Sequence, residues 1–120
     1  MQLIASIVVS LVALLHVYIL VLEMFLWDKP RGLKAFGQTL ELARASKTLA
    51  ANQGLYNGFL AAGLAWGVLL GAEGYAVKVF FLSCVLVAGV YGSLTASRKI
   101  LFIQALPAAI GLALLGAARL

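Results

Sequence analysis

Charge is what this chain has least of. Of 120 residues, nine are Lys or Arg and only four are Asp or Glu, so charged side chains make up 11%. A soluble domain of this length carries charge on roughly a quarter of its positions, so a water-facing globule is excluded. One cysteine, Cys84, rules out an internal disulfide, and in an apolar run it reads as a small packing residue. One histidine and no His/Cys/Asp/Glu grouping at ligand spacing leave no metal set. No stretch points to a bound cofactor.

What remains is apolar: 64% of the residues are hydrophobic and the mean hydropathy is +1.08. The expectation is an all-α integral membrane protein. Its 120 residues form one transmembrane domain of four spans, about 3–27, 50–70, 75–94 and 100–118, with an amphipathic basic loop at 28–49. The first apolar run begins at Leu3 with no basic residue before it and continues to Trp27. It is too long for a signal-peptide core and reads as a retained helix.

The net charge of +5 does not point to nucleic acid, because the basic residues cluster between apolar runs. Lys29, Arg31, Lys34, Arg44, Lys47, Arg98 and Lys99 lie in the first and third loops, and only Lys78 and Arg119 fall on the other side. The positive-inside rule places those loops in the cytoplasm and both termini outside, N-out/C-out. The expected location is a bacterial inner (cytoplasmic) membrane, with multi-pass topology and membrane lipids as surroundings.

Local signals refine the layout. Pro30 and Gly32 disfavour continuation of the first helix. In the basic loop, Leu33, Phe36 and Leu40 share a helical face suited to the headgroup plane. Gly37 breaks that piece, and Thr39 caps a helix running from Leu40 straight into the second span. Lys78, near the start of the third span, is expected to snorkel to the interface. Pro107 removes a backbone donor and leaves the Ile103 carbonyl unpaired, which predicts a kink. Gly54 and Gly58, and then Gly63, Gly67 and Gly71, recur at intervals of four. Such faces admit another helix, in the same chain or in a second copy, and a homo-oligomer through these faces is expected.

The polar groups are unevenly distributed in depth. At about 1.5 Å per residue, His16 falls near the bilayer centre and Glu23 roughly 10–12 Å nearer the cytoplasm. Asn52, Gln53 and Asn57 enter the second span at similar depth, as do Tyr91 at the end of the third and Gln104 at the start of the fourth. Together, His16, Glu23, Asn52, Gln53, Asn57, Tyr91 and Gln104 would line a polar pocket open to the cytoplasm and hold a small-molecule ligand.

Each has a plain structural alternative. Glu23 either titrates or binds a ligand, or it pairs with Lys47, Arg98 or Lys99 in a structural bridge. His16 either relays protons with Glu23, making the two the catalytic candidates, or hydrogen-bonds a neighbouring helix, for example at Asn57. The carboxamides either line a site or join helices.

Three segments carry a resemblance. They are His16-x6-Glu23-Met24-x2-Trp27 followed by Lys29-Pro30-Arg31; Ala51-Asn52-Gln53-Gly54-Leu55-Tyr56-Asn57-Gly58-Phe59; and Gln104-x2-Pro107-Ala108. Together they resemble the small bacterial membrane proteins grouped as domain of unknown function 1304. The resemblance covers nearly the whole chain and implies a four-helix membrane protein of about this length, with no implied activity. Function therefore rests on the residues. The leading expectation is binding or transport of a small solute with Glu23 as the titratable group. The alternatives are a membrane-embedded enzyme acting on a lipid or isoprenoid-like substrate, and a structural or accessory subunit.

Overall fold

The computed structural model describes residues 1–119, which form helices and turns with no strand among them. In order these are α1 (Gln2–Met24), α2 (Pro30–Phe36), α3 (Leu40–Ala45), α4 (Lys47–Leu69), a 3₁₀ turn (Gly71–Gly74), α5 (Tyr75–Thr95), a π-helical turn (Leu101–Ala105) and α6 (Leu106–Arg119). Among the described residues, three stretches are long and apolar enough to cross a membrane: Gln2–Met24, Gly71–Thr95 and Leu101–Arg119. The expected second span does not stand out in the same way. α4 is long enough at 23 residues, but Lys47, Asn52, Gln53 and Asn57 dilute its hydropathy.

The chain divides into two compact units. The first comprises residues 1–14 and 60–120. Its core is built from small side chains, including Ala5, Val9, Val12, Ala13, Ala61, Ala105 and Ala108, with Leu64, Leu82, Val85 and Leu115 filling the gaps. The large residues Leu3, Leu11, Phe80, Leu94 and Phe102 stand exposed instead. Such a surface would aggregate in water and suits hydrocarbon, where helices associate through close approach of small residues. Gly89 serves this contact, since a Cβ there would lie 2.6 Å from the Ala105 backbone nitrogen.

At Pro107, where the sequence predicts a kink, the structure has a π-helical turn just before the proline. The proline has no N–H, and its ring would clash with the Ile103 carbonyl in a regular helix. The chain responds by widening: the Leu106 N–H bonds to the carbonyl of Leu101, five residues back. Gln104 lies within this turn. Lys78 differs from the expectation. It is buried, 6% exposed, and its ammonium reaches back to the turn before α5, where it donates to the Gly71 carbonyl at 3.1 Å.

The second unit comprises residues 15–59. α1 ends at Met24, three residues before the expected Trp27, and Pro30 begins α2 at a position where its missing N–H costs nothing. Gly37 terminates α2 in the left-handed region at φ 60°, and the Gln38 N–H closes the cap onto the Leu33 carbonyl. Thr39 caps α3, its hydroxyl accepting from the Leu42 N–H at 3.2 Å. That helix does not run on into α4, because Ser46 leaves helical geometry at φ −106°, ψ 9°. The Ser46 hydroxyl accepts from the Trp27 indole at 3.1 Å and donates to the Leu42 carbonyl at 2.8 Å. Trp27 also packs against Phe36, ring centroids 4.7 Å apart. The basic segment is thus a folded connector anchored on Trp27.

Lys47 bridges to Asp28 at 3.1 Å. The hydrogen bond from the Lys47 ammonium holds the Asp28 carboxyl below its ordinary value of 3.8. A depressed carboxyl contributes stability above its unfolded pKa and loses it as pH falls through the folded one. Acidification below about pH 4 should therefore loosen the 25–47 connector in the wild type. The Asp28→Asn protein should not respond over that range. Hydrogen exchange of the Asp28–Ser46 amides against pH checks this.

Candidate functional site

The site is built from two stretches of helix within residues 15–59. α1 is apolar almost throughout and carries a single acidic residue, Glu23, which is 2% exposed one residue before the helix ends. A carboxylate in this position must have hydrogen-bond partners, because a buried charge without them is costly. α4 supplies two. The Asn57 side-chain amide donates to Glu23 Oε1 at 2.5 Å, and the Gln53 side-chain amide donates to Glu23 Oε2 at 2.9 Å. Gln53 and Asn57 are four residues apart, one turn, so they stack on one face of α4 and meet the two carboxyl oxygens separately.

The glycines of the same face make the approach possible. A Cβ on Gly54 would lie 2.6 Å from Met24 Cγ and 3.1 Å from Glu23 Cβ. A Cβ on Gly58 would lie 2.7 Å from Leu20 Cδ1. An added Cβ at Gly54 would press on both Met24 and the Cβ of Glu23, whereas at Gly58 it would meet only the end of the Leu20 side chain, which can turn aside. The Gln53-Gly54-x2-Asn57-Gly58 pattern is thus a single device: two glycines for proximity and two carboxamides for the carboxylate.

The other site residues separate into groups. His16 lies in the same unit and is fully buried. It precedes Glu23 by seven residues, about 10 Å along the helix. It is engaged rather than free, but the carboxyl oxygens of Glu23 are met by Gln53 and Asn57. Asn52 is exposed and does not join the cluster, because its position on α4 turns away from the Gln53–Asn57 face. Tyr91 is 69% exposed and borders a shallow, almost wholly apolar groove with Phe80, Ser83, Cys84, Val87 and Ala88. Gln104 is half-buried in the π-helical turn and is likewise engaged. Lys47, one of the cations considered for Glu23, is committed to Asp28. No group of three or more potential metal ligands occurs among the described residues.

One feature of α5 escaped the sequence reading. The burial of Lys78 was missed because a lysine near a helix end ordinarily extends to the surface. The packing role of Gly67, whose added Cβ would lie 2.6 Å from Lys78 Cγ, was the available signal.

Residues 10–116 match the family described as protein of unknown function (DUF1304), and the chain belongs to that family. A relative of Lactococcus lactis subsp. lactis (strain IL1403), described as the uncharacterized protein YpaA, is 33% identical over 106 residues, 87% of this chain and 89% of its own length. No solved structure matches the chain.

Replacing Asn57 by Leu should destabilise the protein by about 1–3 kcal/mol, the cost of leaving a buried polar oxygen without its partner. Adding Glu23→Leu to that variant should recover a substantial part of the loss, since both polar groups are then gone. Thermal unfolding of the single and double variants in one detergent reads the difference.

Proposed function

We propose that this chain is a multi-pass protein of the bacterial inner membrane that binds a small solute at Glu23, with the carboxyl exchanging a proton for the solute. The observation that carries this reading is the carboxylate of Glu23 held between two neutral carboxamides in the last turn of an apolar helix. A fixed ammonium or guanidinium in their place would pin the carboxyl in its charged form. A carboxamide imposes no such choice. It offers two N–H donors on one side and a carbonyl acceptor on the other. A half-turn of either amide satisfies the protonated acid as well as the carboxylate. The site can therefore gain and lose a proton without leaving a buried polar atom unpaired, which a carrier or sensor of a small solute requires.

In this reading α4 crosses the membrane as a fourth span, its polar entry satisfied by α1. The segment 28–49 and the loop bearing Arg98 and Lys99 face the cytoplasm, and the termini face outward. The Glu23 site opens to the cytoplasmic side, and the whole chain acts as one membrane domain. A second reading has its own support. Both oxygens of Glu23 are already satisfied within the chain, which is also what a purely structural clasp between helix segments would need.

The Glu23→Gln protein separates the two. Gln keeps the shape and the hydrogen bonding but cannot titrate. In the solute-binding reading, the wild-type infrared spectrum minus that of Glu23→Gln shows a carboxyl band that appears and disappears with pH. Glu23→Gln loses uptake of small organic cations into vesicles, while its unfolding temperature stays within a few degrees of wild type. If that difference spectrum is pH-independent and uptake in Glu23→Gln vesicles equals wild type, the structural reading replaces this one.

A further inference from the structure

At the end of the first unit remote in sequence from Glu23 lies a cavity of about 280 Å³ bordered by Gln2, Ala72, Tyr75, Lys78, Leu115 and Arg119. It contains two of the chain's nine cationic side chains, and none of the described residues bordering it is acidic. Glu73, in the adjoining 3₁₀ turn, is exposed and does not border it.

The two cations are held in different ways. Lys78 is more than nine-tenths buried, in the first turns of α5. Its ammonium has three protons and gives one to the Gly71 carbonyl at 3.1 Å; it has no second protein acceptor among the described residues. Arg119 is exposed at the end of α6, and its guanidinium lies over the Tyr75 ring at 4.0 Å from the centroid. Stacking of that kind fixes the plane of the group while leaving its in-plane N–H donors available. A buried ammonium with open donor capacity and a guanidinium presented on a ring are the donor set of an anion site. A buried cation is otherwise costly unless a counter-charge accompanies it.

We infer that this cavity binds a phosphate-bearing anion, with Lys78 as the buried point charge and Arg119 as the planar donor at the mouth. Phosphate suits the pair because it accepts several charge-assisted hydrogen bonds at once, from an ammonium and from a guanidinium fork. The position agrees with a membrane source. The cavity gathers the start of the Gln2–Met24 and Gly71–Thr95 spans and the end of Leu101–Arg119. Three apolar stretches reach one level there, the level at which lipid phosphodiesters lie. A lipid headgroup and free inorganic phosphate share the chemistry the site recognises, and the test distinguishes them. The site is separate from Glu23 and does not depend on the solute reading.

The test uses the full chain in neutral detergent. Inorganic phosphate is titrated by phosphorus NMR, and short-chain phosphatidylglycerol is compared with short-chain phosphatidylcholine by native mass spectrometry. Wild type should bind at least one of the two anions, and Arg119→Gln and Lys78→Met should each weaken that binding about tenfold or more. Lys99→Gln should leave it unchanged. Preference for phosphatidylglycerol over phosphatidylcholine without phosphate binding identifies the lipid as the source, whereas phosphate binding identifies the free anion. Absence of binding to both anions overturns the inference. So does binding that Arg119→Gln leaves intact, a variant at an exposed helix end that decides the matter even if Lys78→Met does not fold.

Discussion

The pairing of Glu23 with Gln53 and Asn57 is the constraint around which residues 15–59 are arranged. A carboxyl with 2% of its surface exposed cannot be left without donors, so α4 must bring its carboxamides to α1. Gly54 serves that approach, since a Cβ there would press on Met24 and Glu23, and Gly58 eases it against Leu20. The requirement reaches further along the chain. α4 must start at the right place to set this register, and the start is fixed by Ser46, by its bond from Trp27, and by the Asp28–Lys47 bridge. The folded connector and the buried carboxyl are two ends of one constraint.

The first unit answers to a different one. Its interior is built from alanine, valine and glycine, and its large side chains point outward. In water that arrangement forfeits the hydrophobic driving force. In lipid, where the outer surface has no need to hide, what holds helices together is the number of close contacts, and small residues give the most. The few larger interior groups, Leu64, Leu82 and Leu115, occupy the spaces those small residues leave.

This inversion explains how much of the fold could be read in advance. Helix, membrane character, the cap at Gly37 and the disturbance at Pro107 follow from local chemistry and were legible. So was the combination of glycine and carboxamide at 53–58, because both residue types are out of place in an apolar run. Which face of each helix points inward was not legible, since an apolar helix surrounded by lipid shows no contrast between its faces. Nor was the break at Ser46, where a side chain nineteen residues away, Trp27, supplies the deciding bond. Tyr91 and Asn52 were grouped with Glu23 by depth alone. Depth fixes a level and not a direction around the helix, and both proved exposed.

The turn at Leu101–Ala105 bears on how the chain can vary in length. A π-helical turn holds one residue more than the α-helix that would occupy the same space. Since each residue of an α-helix accounts for about 100° of rotation, the extra one sets the phase of everything after it, including Gly111, which abuts Leu82, and the buried Ala108 and Leu115. Counting residues backward from that inward face in steps of a regular helix goes out of phase at this turn. It is the one place in α6 and its approach where the chain could shed a residue and keep the same face inward, by tightening to an α-helix, provided that residue 107 were no longer a proline.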